Sequence, residues 1–202
     1  MNAEELAFST VYTEEQTPMH TEITAHQFQS FLDIAKPQPG ETILDFGCGM
    51  GVAWPYMRAA GLPIKAITPN LEEATLARDS GIHSFYSLSS MNQYYGGGRR
   101  ELEVQHIWAR HSLEHVINPF ETLLAFKRLL DIGGGGYVYI EVPAPDTACE
   151  HENNPNHYSV LGDKMWKSLF EKAGLPLYCF GHLDLGTIAG PDKYFWYILK
   201  KA

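Results

Sequence analysis

Cysteine, basic residues and long apolar runs are all scarce in this chain of 202 residues. The three cysteines, Cys48, Cys149 and Cys179, are too few and odd in number for a disulfide framework. No apolar run approaches the roughly 18 residues that a membrane span needs. Fifteen Lys and Arg against 24 Asp and Glu give a net charge of −9, which repels phosphate backbones. These absences argue against a disulfide scaffold, a membrane protein and a nucleic-acid partner.

The first residues are acidic rather than basic, so no secretory signal is visible. Hydrophobic residues make up 45% of the chain and aromatic residues 12%, which is typical of a globular protein. We therefore expect a soluble, cytoplasmic protein, either a monomer or a homodimer.

An amphipathic helix is predicted over residues 18–35, because apolar residues recur there at helical spacing and a Pro- and Gly-containing run follows. We expect residues 1–37 to form an arm and a helix that could close over the functional site with Tyr12 or His20. Residues 38–202 are predicted to form a single further domain.

Strands and helices alternate from residue 40 onward. Strands are predicted at 42–46, 64–68, 82–86, 102–109, 137–142, 178–185 and 194–200. Helices are predicted at 53–60, 71–80 and 164–173, and one more begins at Pro119 after an Asn118 cap; residues 88–95 are ambiguous. This order predicts an α/β fold: a doubly wound, mainly parallel, seven-stranded, Rossmann-like sheet with helices on both faces and an antiparallel last strand.

The first predicted strand ends in the run Asp45-Phe46-Gly47-Cys48-Gly49-Met50-Gly51. Alternating glycines allow a sharp turn and let a ligand approach the main-chain amides. Ligands of open α/β sheets bind at this end of the strands. A nicotinamide dinucleotide site would prefer a glycine at position 52, where Val52 stands, and an acid before the turn suits a ligand with a cationic amino group.

The chain resembles the class I S-adenosylmethionine-dependent methyltransferases, whose first motif is acid-x-Gly-x-Gly-x-Gly. Residues 107–116 resemble the end of the fourth strand in their small-molecule branch, where a run like Leu113-Glu114-His115-Val116 opens the next helix. The predicted strand that ends in Pro143 also resembles that branch. The resemblance implies S-adenosylmethionine as cofactor and a small-molecule acceptor. The cofactor-binding residues that it implies are Asp45, Gly47, Cys48, Gly49, Gly51, Thr68, Pro69, Asn70, Ser89, Met91 and Arg110.

Two acidic residues of the family pattern are missing. Thr68 stands where the family usually ends its second strand in an acid that binds the ribose hydroxyls, although Thr68 and Asn70 could each offer a hydrogen bond. After the third strand, residues 87–91 replace an acid that contacts the adenine. We therefore expect cofactor affinity to be weaker than the low micromolar range.

Several histidines are predicted at the rim of this site. We expect His111, His115 and His157 to be catalytic, because an imidazole can take a proton from an acceptor hydroxyl. His111, His157, Tyr158 and Tyr12 are predicted to contact the acceptor, with oxygen favoured over nitrogen or carbon as the methylated atom. One of His111 and His115 could instead cap a helix or bond a backbone carbonyl, and the loop that carries His157 and Tyr158 could be an ordinary solvated polar loop. No metal is expected, since the sulfonium already activates the methyl group.

Two other functions remain open. The missing acids are compatible with a non-catalytic module that binds S-adenosylmethionine. The spacing His111-x-x-Glu114-His115 also matches a zinc-hydrolase pattern, which requires both histidines on one face of a helix.

Overall fold

The computed structural model describes residues 17–96 and 103–201. Seven strands lie in these ranges: β1 (Ile43–Phe46), β2 (Ile64–Ile67), β3 (His83–Phe85), β4 (His106–Arg110), β5 (Tyr137–Pro143), β6 (Leu177–Thr187) and β7 (Gly190–Lys200). The α-helices of these ranges are α1 (Pro18–Ala35), α2 (Trp54–Ala59), α3 (Leu71–Asp79), α4 (Leu88–Gly96), α5 (Pro119–Ile132) and α6 (Asp163–Lys172). None of them is both long and apolar enough to cross a membrane.

The strands form one sheet in the order β3-β2-β1-β4-β5-β7-β6. Strands β1 to β5 are parallel, and β7 runs antiparallel to both β5 and β6. The chain moves outward from β1 to β3 and then returns to place β4 beside β1. This reversal opens a crevice at the carboxyl ends of β1 and β4, where ligands bind in folds of this type.

Helices cover both faces of the sheet because the strands alternate their apolar side chains between two cores. On β1, Ile43 packs in one core and Leu44 in the other. The Ile43 side is closed by α1, α2 and α3, whereas the Leu44 side is closed by α4, α5 and α6. The doubly wound α/β fold is thereby confirmed.

Helix α1 is part of this packing. Phe28 and Phe31 are buried against Trp108 of β4, with ring centroids 5.1 and 6.0 Å from the indole. Its Thr17 cap accepts a hydrogen bond from the backbone nitrogen of His20 at 3.2 Å, which fixes where the helix begins. The first turns of α1 therefore have a fixed position beside the end of β4.

The structure differs from the predicted elements chiefly at α4, at β4 and at the last two strands. The ambiguous segment is helix α4, which begins with a reciprocal cap between Ser87 and Ser90 (3.0 and 3.1 Å). Strand β4 begins at His106 rather than at residue 102, because the nitrogens of Gln105 and His106 share the Thr42 carbonyl before the regular ladder starts. Strands β6 and β7 extend through a tight hairpin past their predicted ends.

Candidate functional site

A pocket lies at the carboxyl ends of β1, β2 and β4, around the turn that follows β1. In this turn Gly47, Gly49 and Gly51 all have positive φ values, of 75°, 50° and 76°. A Cβ on Gly51 would lie 2.3 Å from the Trp54 ring, whereas a Cβ on Gly49 would meet no atom within 4 Å. Gly51 is therefore required by packing, and Gly49 leaves its backbone open toward the pocket.

Asp45 places a buried carboxyl beneath this turn, with 3% of its surface exposed. Its Oδ2 accepts a hydrogen bond from Trp54 Nε1 at 2.9 Å. Burial raises the pKa of Asp45 to about 7; the Trp54 bond lowers it, and the charge of Glu73 raises it further. A cation that binds beside Asp45 would stabilise the ionised carboxylate.

A second acid, Glu73, lines the same pocket next to Thr68. It comes from the first turn of α3, and the Thr68 hydroxyl donates a short hydrogen bond to its Oε2. Burial raises the pKa of Glu73, and its bond with Thr68 opposes that rise. Asn70 caps α3, since its Oδ1 accepts from the nitrogens of Glu72 and Glu73 at 2.8 and 3.3 Å.

A third buried acid, Glu141 of β5, organises the end of β4. Its carboxylate lies 2.7 Å from Arg110 Nε and 2.8 Å from His111 Nε2, and it accepts from Tyr139 Oη at 2.6 Å. Burial acts to raise the pKa of Glu141, but the His111 hydrogen bond and the Arg110 charge outweigh it and lower the pKa to about 2. Glu141 is therefore ionised at neutral pH and holds the side chains of Arg110, the last residue of β4, and of His111, which follows it.

His111 lies at the rim with an unusual backbone conformation, at φ 49°. Its ring stacks on Tyr194 with a centroid distance of 4.6 Å and on His20 of α1 at 5.6 Å. Non-glycine residues in this region carry strain of about 1–3 kcal/mol and concentrate at functional sites. The backbone nitrogen of His111 donates to the Glu141 carbonyl at 2.9 Å, so two contacts with one residue fix its place.

His115 and His157 meet near the same rim, with ring centroids 4.8 Å apart. The Nδ1 atoms of His115 and His157 lie 2.9 Å from the backbone carbonyls of Asn156 and His151. Carbonyls only accept, so both Nδ1 atoms carry hydrogen. Burial, followed by the charge of His115, lowers the pKa of His157 to about 4.

Two clusters of side chains in the described ranges could hold a metal ion: Glu114, His115 and His157, and Cys149, His151 and Asp192, each with its ligand atoms within 4.8 Å of one another. The zinc-hydrolase arrangement is not formed. His111 directly follows strand β4 and pairs with Glu141, while Glu114 and His115 lie in a separate 3-10 turn, so the two histidines do not share a helix face. The expectation that no metal is needed stays a prediction.

The pocket brings together most of the residues that the sequence predicted. Eleven of them line it: His20, Asp45, Gly47, Cys48, Gly49, Thr68, Pro69, Ser89, Arg110, His111 and His115. Of the other predicted residues, Gly51 packs on Trp54 behind the turn, Asn70 caps α3, and Met91 is fully buried in the core instead of facing the pocket. His157 touches His115 from the neighbouring loop, and Tyr158 is 48% exposed. Tyr12 lies outside the described residues.

Sequence reasoning missed Glu73 and Glu141. Glu73 follows Asn70 by three residues, and this Asn-x-x-Glu spacing is a capping signal that marks the residue as lying in a first helical turn. Glu141 interrupts an otherwise apolar predicted strand, and a charge in such a buried run indicates a partner.

The model of the family described as "methyltransferase domain" matches residues 20–183. A ubiquinone biosynthesis O-methyltransferase of Thiobacillus denitrificans is 30% identical over 108 residues, which are 52% of this chain and 46% of that protein. The chain thus matches less than half of the length of this curated relative.

Solved structures share the fold. A SAM-dependent methyltransferase from Archaeoglobus fulgidus superposes with a TM-score of 0.63 at 16% identity, covering 90% of this chain and 94% of that one. The 1,6-didemethyltoxoflavin-N1-methyltransferase of Burkholderia thailandensis, solved with S-adenosylhomocysteine, gives a TM-score of 0.62 at 16% identity over 95% and 93% of the two chains.

Proposed function

The chain belongs to the methyltransferase domain family, and from this premise we propose that it transfers a methyl group from S-adenosylmethionine to an oxygen atom of a small molecule. The observation that carries the proposal is the pocket itself, in which the glycine turn and a histidine held by a buried carboxylate face the same space. The curated relative, named as an O-methyltransferase, favours oxygen as the acceptor atom.

The residues of the pocket fit this cofactor. The open backbone at Gly49, with no atom within 4 Å of a virtual Cβ, leaves room for a ligand beside main-chain amides. Asp45 offers a carboxylate to the cationic amino group of the cofactor. Ser89 adds a polar side chain to the lining of the pocket, and Leu88 adds an apolar one. When bound, the cofactor supplies a methyl group that its sulfonium activates. No basic cluster that would bind a nucleic-acid backbone is predicted from the sequence.

His111 is proposed as the residue that removes the proton of an acceptor hydroxyl. Its Nε2 donates to Glu141, so the neutral ring carries its lone pair on Nδ1. The Glu141 carboxylate also stabilises the imidazolium that forms when Nδ1 takes the proton, because the two charges lie 2.8 Å apart in a buried setting. Glu141 thus acts as a positioning residue for His111. His115, His157 and Tyr158 stay proposed neighbours of the acceptor.

The test is turnover of S-adenosylmethionine to S-adenosylhomocysteine with a panel of small hydroxylated aromatic acceptors. His111→Ala should reduce turnover at least about tenfold, within the range for a general base, and leave the Kd of S-adenosylhomocysteine nearly unchanged. His111→Asn tolerates the positive φ and separates loss of the base from loss of the backbone conformation. His182→Ala, on the exposed face of β6, is the matched control.

Full activity of both His111 variants would remove His111 from the mechanism. Tight binding of S-adenosylhomocysteine without turnover of any acceptor would instead favour the non-catalytic binding module.

A further inference from the structure

Strand β2 ends without an acid, yet a carboxylate occupies the space at its end. Glu73 is five residues beyond Thr68, and only 5% of its surface is exposed. Both residues line the pocket, and the Thr68 hydroxyl donates to Glu73 Oε2. The first turn of α3 therefore places the carboxylate of Glu73 at the end of β2, where the strand itself has no acidic residue.

The polar groups around Glu73 are arranged to hold its side chain. The single hydroxyl hydrogen of Thr68 goes to Glu73, and the hydroxyl oxygen accepts from the backbone nitrogen of Asn70 at 3.1 Å. The side-chain oxygen of Asn70 caps the helix that carries Glu73. Thr68 and Asn70 thus position the acid, because the Thr68 hydroxyl hydrogen bonds Glu73 and the Asn70 side-chain oxygen caps the helix that carries it.

A purely structural role explains this acid poorly. Burial of a carboxyl group costs free energy, whereas an apolar side chain in the same first turn would pack without that penalty. Glu72, the preceding residue, is exposed and so avoids this cost. A buried acid that faces a pocket is the pattern expected of a ligand-binding group.

The place of Glu73 relative to the glycine turn indicates which part of a ligand it faces. The nitrogens of Gly47 and Cys48 both donate to the Ile67 carbonyl, at 2.9 and 3.2 Å, so the end of β2 and the turn are tied together. In dinucleotide-binding sheets of this topology, an acid about 20 residues beyond the glycine turn binds the ribose 2′-hydroxyl, and Glu73 lies 22 residues beyond Gly51. A carboxylate has two acceptor oxygens, which match the two donors of a cis-diol.

We propose that the Glu73 carboxylate, oriented by Thr68, binds the 2′- and 3′-hydroxyls of the cofactor ribose. This inference rests on the proposed function, because it assumes that the pocket takes S-adenosylmethionine. It removes one reason for expecting weak cofactor affinity, since the acid missing from the end of β2 is supplied by α3.

The experiment compares S-adenosylhomocysteine with its 2′,3′-dideoxy analogue by calorimetry. The unaltered protein should bind S-adenosylhomocysteine at least about 30-fold more tightly than the analogue, because hydrogen bonds to a charged acceptor are among the stronger ones in proteins. Glu73→Gln should weaken binding of S-adenosylhomocysteine about tenfold or more and reduce that preference to a few-fold. Removal of the diol from the ligand and removal of the carboxylate from the protein abolish the same hydrogen bonds, so their effects are not additive. Glu72→Gln is the control and should retain both the affinity and the preference.

Thr68 provides a second, independent test. Thr68→Val removes the hydroxyl that orients Glu73 and should reduce the preference for the diol, whereas Thr68→Ser should keep it. A cooperative thermal unfolding transition should be measured for each variant as the control for folding.

A preference for the diol that stays at its original value in Glu73→Gln and Thr68→Val would overturn the proposal for Glu73 while leaving the proposed function intact. If Glu73→Gln does not fold, the Thr68 pair decides the matter. If the unaltered protein binds neither ligand, both proposals fail.

Discussion

Replacement of Glu141 by glutamine should reduce the free energy of unfolding by about 3 kcal/mol at pH 7. The carboxylate is completely buried, forms an ion pair with Arg110 Nε at 2.7 Å, and accepts hydrogen bonds from His111 Nε2 at 2.8 Å and Tyr139 Oη at 2.6 Å. Its pKa falls from 4.5 to about 2 in the folded protein, and each pH unit corresponds to about 1.4 kcal/mol. Removal of one partner of a buried ion pair typically costs about 3–5 kcal/mol, which agrees with this figure.

The sign of the effect follows from the lowered pKa. A carboxylate with a depressed pKa stabilises the fold fully above its unfolded pKa of 4.5, and this stabilisation is lost as the pH falls through about 2. The difference between the unaltered protein and Glu141→Gln should therefore be largest above pH 4.5 and should shrink steadily in acid.

Denaturant titration at pH 7 and at pH 3 measures this difference directly, and the melting temperature at pH 7 should fall by about 6–12 °C. Glu171→Gln is the matched control, since Glu171 is an exposed glutamate of α6. A loss of less than about 1 kcal/mol at pH 7, or an equal loss at both pH values, would refute the electrostatic role assigned to Glu141.

Two further predictions concern the turn after β1. Binding of S-adenosylhomocysteine should weaken by up to about tenfold per pH unit below pH 7, because the pKa of Asp45 near 7 leaves its carboxyl protonated there. Asp45→Asn should bind this ligand weakly at every pH. An affinity of the unaltered protein that does not change with pH would contradict this prediction. Gly51→Ala should destabilise the fold by about 2 kcal/mol or more through its clash with Trp54, as measured by urea titration. Gly49→Ala should destabilise the fold by only about 1 kcal/mol but should weaken ligand binding at least about tenfold, as measured by calorimetry. Equal effects of the two variants on stability would contradict the packing role assigned to Gly51.

Local signals in the sequence predicted the fold and the place of the site. Apolar spacing located α1 at residues 18–35, and the Asn118 cap with Pro119 located the start of α5. The alternation of strands and helices implied the parallel sheet, and the glycine run marked the turn on which the pocket is built. These features are readable because helix periodicity, caps and turns depend on residues that are close together in the chain.

The roles of the acids that shape the site depend on how whole helices and strands pack together. Glu141 gains its role because β5 lies beside β4 in a register that pairs it with Arg110, 31 positions earlier in the chain. Glu73 reaches the end of β2 only because α3 folds back over that edge of the sheet, and Met91 turns into the core instead of the pocket. Whether a polar side chain is buried, and what it then contacts, is set by how the elements pack against one another. The chain alone therefore determined the architecture and the turn, and the tertiary structure decided which carboxylates face the pocket and which histidine is held at its rim.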